Sequence, residues 1–169
     1  MKDRLFLFAA LVIAPMALAG CGNDATTQVE TVRLAVQATR IPGSDHGGRG
    51  FTTALTQEVT QTPVWSGDAD GTGEALLTIN AGKGEVCWVI TVSNISLPAT
   101  ASHIHEAAPG VRGPIVVSLS APGADGKATG CTSGVSRDLL QRILQTPGAF
   151  YANVHTSDYP AGAVRGQLP

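Results

Sequence analysis

In "EVCWVITVS" (Glu85–Ser93) every second residue is apolar: Val86, Trp88, Ile90 and Val92. Side chains alternate across an extended strand, so this spacing makes one continuous apolar face, which a helix would break up. A strand with such a face has to lay it against a second layer. Short runs of similar character recur along the chain: "EALLTIN" (Glu74–Asn80), "TASHIHE" (Thr100–Glu106), "PIVVSLS" (Pro114–Ser120), "AFYANVHT" (Ala149–Thr156) and a closing "AVRGQLP". Between them lie "AGKG", "AAPGVRG", "APGADGKATG" and "SDYPAG", which carry the glycines, prolines and aspartates of turns. "AFYANVHT" and "AVRGQLP" form a hairpin at the C-terminal end. Roughly seven short strands over residues 51–169 is the pattern of one antiparallel β-sandwich, immunoglobulin-like or superoxide-dismutase-like.

One segment breaks the rhythm. In "SRDLLQRILQTPG", Leu139, Leu140, Ile143 and Leu144 fall at helical spacing. Ser136 stands at the N-cap, Asp138 suits the positive end of the helix dipole, and Pro147-Gly148 stops the helix. The expectation is one short helix just before the C-terminal hairpin.

The N-terminus has a different character. Lys2 and Arg4 precede an uncharged, mostly apolar run from Leu5 to Leu18, too short for the roughly 20 residues of a membrane-spanning helix. It fits the hydrophobic region of an export signal. It ends in Leu18-Ala19-Gly20-Cys21, which resembles the lipobox of bacterial lipoproteins. That resemblance implies a signal peptide over 1–20, lipidation of Cys21, and an exported protein held to the cell membrane or outer envelope by acyl chains, palmitate among them, without spanning the bilayer. Residues 21–50 are polar, with Gly, Pro, Asp and Ser towards the end. They read as a tether, with "TVRLAVQA" as one further strand, leaving 51–169 as the folded domain.

Two cysteines then remain, Cys87 and Cys131, 44 positions apart. In an exported chain they are expected to form one disulfide, the other option being two separate buried thiols. The formal net charge of −2 gives no electrostatic footprint for nucleic acid. No Gly-x-Ser-x-Gly elbow or phosphate loop is present. "GDADGTGEA" (Gly67–Ala75) lacks the full calcium-loop pattern and reads as a turn. None of these patterns assigns an enzymatic activity to the chain, which leaves that question and the identity of a protein or small-molecule partner open.

The histidines offer the remaining chemistry. His103 and His105 share one face of "ASHIHE", with Ile104 on the other. In "FYANVHT", Tyr151, Asn153 and His155 oppose Phe150, Ala152 and Val154. With Ile104 and Val154 in the core, His103, His105 and His155 all point to the outer face. On neighbouring strands they can converge. Three imidazoles suit one Zn²⁺ or Cu²⁺ ion, possession of copper opening a redox role. The other option is hydrogen bonding to loops, with Glu106 and Asp158 as local partners. Glu106, Asp158 and Arg165 are the candidates for supporting residues around the histidines.

"HIHEAAPGVRGPIVVSL", the cysteine before a central tryptophan in "GEVCWVITV", and "FYANVHTSDYPAGAVRGQL" together resemble the CHRD domain, a module named for chordin. The resemblance runs from Phe51 to Leu168 and implies an extracellular β-domain acting as a binding or structural module. Family members often carry Glu-Val-Pro-Pro near the first strand, where this chain has Glu58-Val59-Thr60-Gln61. The histidine pattern also resembles the Cu/Zn superoxide dismutase sandwich. His103 and His105 match its His-x-His pair, His155 its later ligand and Arg165 its arginine near the C-terminus. A bridging histidine and a zinc loop are missing, and the fourth histidine, His46, lies in the tether, so the resemblance extends to a mononuclear site at most.

Overall fold

The computed structural model describes residues 47–61 and 63–169. The expected signal peptide, Cys21, the strand at "TVRLAVQA" and His46 lie outside the described residues. Ten strands are described: β1 (Arg49–Gln57), β2 (Val59–Gln61), β3 (Val64–Ser66), β4 (Thr72–Asn80), β5 (Glu85–Ser93), β6 (Ala101–Glu106), β7 (Ile115–Leu119), β8 (Lys127–Ser133), β9 (Phe150–His155) and β10 (Val164–Gln167). Helix α1 (Arg137–Gln145) and a 3-10 turn (Pro147–Ala149) separate β8 from β9.

Eight strands form one antiparallel sheet in the order β7-β6-β9-β10-β1-β4-β5-β8, and β2 pairs with β3 in a small hairpin. Strand β1 belongs to both halves of the large sheet. Its Arg49–Leu55 stretch pairs with β4, whereas Thr56 and Gln57 pair with Arg165 and Val164 of β10. The sheet thereby folds into two layers joined at β1. Its outer strands β7 and β8 come back together, and Thr132 donates a hydrogen bond to the Ser118 carbonyl at 3.1 Å across the gap. The result is an all-β sandwich approaching a closed barrel.

The alternation of β5 is realised as expected: Val86, Trp88, Ile90 and Val92 are all buried. They meet Phe51, Leu55, Leu77 and Ile79 of their own layer and Ile104, Phe150 and Val154 of the facing layer. Helix α1 closes one end, with Leu140 and Ile143 packed into this core. Ser136 holds the cap position through its carbonyl, which accepts from Leu140 N at 3.0 Å, while its hydroxyl makes no cap bond.

Three elements depart from the sequence expectation. β1 begins at Arg49 rather than Phe51, inside the expected tether. β8 begins at Lys127, inside the expected "APGADGKATG" loop. The β2–β3 hairpin has no counterpart in the sequence reading. β8 has almost no apolar alternation of its own. It exists because β5 offers a free edge and because Cys87 stands directly opposite Cys131 in the register. The two are joined in a disulfide with their Cα atoms 4.0 Å apart.

That bond closes a loop with a sequence separation of 44 residues that contains the histidine strand β6. Replacing both cysteines by alanine is expected to cost about 4 kcal/mol on the chain-entropy model. The measurement is urea unfolding of the oxidised wild type against the double variant. Equal midpoints would contradict it.

Candidate functional site

β6, β9 and β10 lie side by side, so the residues they turn away from the core form a grid. The register sets His103 opposite Asn153, His105 opposite Tyr151 and Ala101 opposite His155. On the other flank of β9, Arg165 stands opposite Asn153 and Gln167 opposite Tyr151. The three histidines therefore come together, as strand alternation predicts. One ring nitrogen from each lies within 4.8 Å of the others.

The face they occupy is not open solvent. Tyr151, Asn153, His105 and Arg165 are all buried. Three segments cover them. The 107–113 loop is held by Arg165, which donates to the carbonyls of Val111 at 2.7 Å and Ala108 at 2.9 Å, and by Gln167, which donates to Ala107 O at 2.7 Å. The β2–β3 hairpin is held through Trp65 Nε1, which donates to Gly162 O at 2.8 Å, and through Gln61 N, which donates to Gly110 O at 2.8 Å. The β9–β10 turn is held by Arg112, which donates to Ala161 O at 3.1 Å.

Under this cover the rings are stacked. His105 lies parallel to Tyr151, centroids 4.7 Å apart and planes at 5°. The Arg165 guanidinium sits 3.3 Å from the Tyr151 ring centroid, close enough for a cation–π contact. Arg165 is thus a clamp, binding the cover loop and the stack at once.

Hydrogen bonds fix the tautomers. His155 Nδ1 faces the Pro160 carbonyl at 3.1 Å, and a carbonyl only accepts, so Nδ1 carries the proton and Nε2 the lone pair. That lone pair faces His103 Nδ1 at 3.2 Å, which donates to it. His105 Nδ1 donates to Gly113 O at 2.9 Å, and its Nε2 faces the side-chain oxygen Oδ1 of Asn153 at 3.1 Å. Tyr151 Oη accepts from Gly113 N at 3.3 Å, seating the same loop residue.

All three imidazoles are held below their ordinary range. Burial is the main cause for each, and the charge of His105 adds to it at His103. His155 is pushed down to about 4 by burial, with His103, His105 and Arg112 contributing and the Pro160 bond opposing. The site is a set of neutral nitrogen donors at neutral pH.

Glu106 and Asp158 do not support the histidines. Glu106 follows His105 on the strand, so it points to the opposite face, where it pairs with Arg142 of α1 at 3.0 Å. Asp158 accepts from Ser96. The supporting groups are instead Asn153 and the carbonyls of Gly113 and Pro160. Behind Asn153 lies Glu58, fully buried, with its Oε2 accepting from Asn153 Nδ2 at 3.1 Å and its Oε1 without a partner among the described residues. Burial raises its pKa, against the Asn153 bond and the charges of Arg165 and Arg112. Gly162 touches the same carboxyl group: with φ at +129° and no room for a Cβ beside Glu58, only glycine fits there. Nothing in the residue pattern around Glu58 signals its burial. The Glu-Val pair of the family motif is the one mark that points to it.

The fold is an all-β sandwich whose outward polar grid is roofed by its own loops. The chain belongs to the CHRD domain family, whose model matches residues 51–168. It matches no curated protein and no solved structure. Membership is compatible with a binding or structural module.

The depressed histidines carry a stability consequence. An imidazole held below its unfolded value of 6.5 takes up its proton preferentially in the unfolded chain. Their contribution is complete above that value and is lost as pH falls towards about 4, the folded value of His155. In the presence of a chelator, urea midpoints should fall steadily between pH 7 and pH 4. His155→Gln should flatten part of that slope; an unchanged slope would count against it.

Proposed function

We propose that this CHRD domain is a metal-binding module that holds one Zn²⁺ or Cu²⁺ ion through His103, His105 and His155, in a protein exported and anchored to the cell envelope by lipid on Cys21. The observation that carries this reading is the separation of the donor atoms. His103 Nδ1 and His155 Nε2 are 3.2 Å apart. Two nitrogens bound tetrahedrally at Zn–N distances of 2.0–2.1 Å stand about 3.3 Å apart. The pair is at coordination distance before an ion arrives.

The surroundings favour the same chemistry. Each donor is neutral, so no proton has to be expelled from an imidazolium. The Pro160 and Gly113 carbonyls orient His155 and His105 as supporting groups orient metal-bound imidazoles. His103 has only to move its proton from Nδ1 to Nε2, through water. Three nitrogens without carboxylate or thiolate suit zinc or copper better than calcium or magnesium.

A second reading rests on the His103–His155 hydrogen bond. The same grid can act as a purely structural clasp between β6, β9 and the covering loops, in a module whose ligand is a protein or small molecule.

Dialysis of the full-length chain against Zn²⁺ or Cu²⁺, followed by elemental analysis, separates the two. One ion per chain is expected, lost in His103→Ala and His155→Ala variants that still fold by circular dichroism. Absence of stoichiometric metal, or retention unchanged in both variants, would leave the structural clasp.

A further inference from the structure

The three histidines bring nitrogen but no negative charge. Among the described residues, the charged side chains other than histidine that act on them are Arg112 and Arg165. Glu106 is turned to the opposite face, where it pairs with Arg142, and Glu58 lies behind Asn153. A divalent ion held by His103, His105 and His155 would keep its whole charge in a partly desolvated site, which is costly. Three protein donors also leave a tetrahedral ion one open position.

The two guanidinium groups differ in what they can still do. Arg165 is buried and committed to Val111, Ala108, Gln167 and the Tyr151 ring. Arg112 is exposed. Its Nη2 donates to Ala161 O at 3.1 Å, and the preceding residue, Pro160, holds His155 through its own carbonyl. The rest of the Arg112 fork has no hydrogen-bond partner among the described residues. His103 and His155 are half-buried whereas His105 is buried, so the open side of the cluster is the one Arg112 borders.

We infer that the metal site takes a carboxylate as its fourth ligand, with one oxygen on the ion and the other on the Arg112 guanidinium. This rests on the metal-binding reading of the histidines and names the ligand class of that same site.

The chemistry favours this occupant. A carboxylate supplies the negative charge that the protein withholds, and a guanidinium fork matches its geometry. One ion and one free fork use the two oxygens of a planar acid. A tetrahedral oxyanion would leave further charged oxygens without donors, and a water would leave the charge uncompensated. The carboxylate belongs either to a free small acid or to an acidic side chain of a partner protein. The bonds at the ion and at Arg112 are the same for both.

The test uses Co²⁺, whose visible spectrum reports its ligands. The full-length chain, saturated with Co²⁺, is titrated with acetate as the free acid and with N-acetylaspartate amide as the side-chain form. Both should change the spectrum saturably, and the tighter of the two assigns the source. Arg112→Gln should weaken acetate binding about tenfold, as expected for loss of a charge-assisted hydrogen bond. Arg112→Lys keeps the charge without the fork and should fall between. Imidazole, a neutral fourth ligand, should bind wild type and Arg112→Gln alike.

A Co²⁺ spectrum that responds to neither carboxylate would overturn the inference while leaving the metal site, as would equal acetate affinity in wild type and Arg112→Gln. Equal weakening of acetate and imidazole would show that Arg112 only shapes the β9–β10 turn, and would overturn it too. Failure to bind Co²⁺ at all would overturn the metal reading and the carboxylate with it.

Discussion

Strand β1 pairs with β4 for most of its length and with β10 only over Thr56 and Gln57, and this single change of partner makes a sandwich out of a sheet. Because the layers share a strand, the core side chains of β5 are brought over those of β6 and β9 without any further device. The same change of partner delivers Glu58, the residue immediately after β1, to the far side of β10 and β9. The backbone event that organises the core thus also places the buried acid behind the histidine grid.

The grid shows how an outward face becomes an interior. Alternation assigns Tyr151, Asn153, His155, His103 and His105 to the side opposite the core, and on a bare sheet that side would be wet. Loops on three sides close over it, fastened by Arg165, Gln167, Trp65 and Arg112 through backbone carbonyls. Desolvation follows, and with it neutral histidines and a carboxyl group whose pKa is raised. The chemistry of the site comes as much from this roof as from the residues beneath it.

Much of this was legible in the sequence where period-two alternation was strong. β4, β5, β6, β7, β9 and β10 follow from it, as does the convergence of three histidines spread over two strands, while α1 follows from the helical spacing of Leu139, Leu140, Ile143 and Leu144. The losses have physical reasons. Three-residue strands such as β2 and β3 are too short to show a period. β8 is held by its neighbour and a disulfide, so its own composition carries little signal. The supporting groups at Gly113 and Pro160 are backbone carbonyls, which no side-chain pattern reveals. Glu106 is next to His105 in the chain, yet the alternation that unites the histidines turns Glu106 away from them, towards Arg142.

The near closure of the sheet has a consequence for life among other proteins. An edge strand with free amides and carbonyls invites a strand from another molecule, the first step towards aggregation. Here β7 and β8 turn their edges towards each other, with Thr132 bonded across to Ser118 and the disulfide fastening β8 to β5. The two edges that could recruit a neighbour instead shield one another, and a chain with little charge to keep copies apart gains its protection from shape.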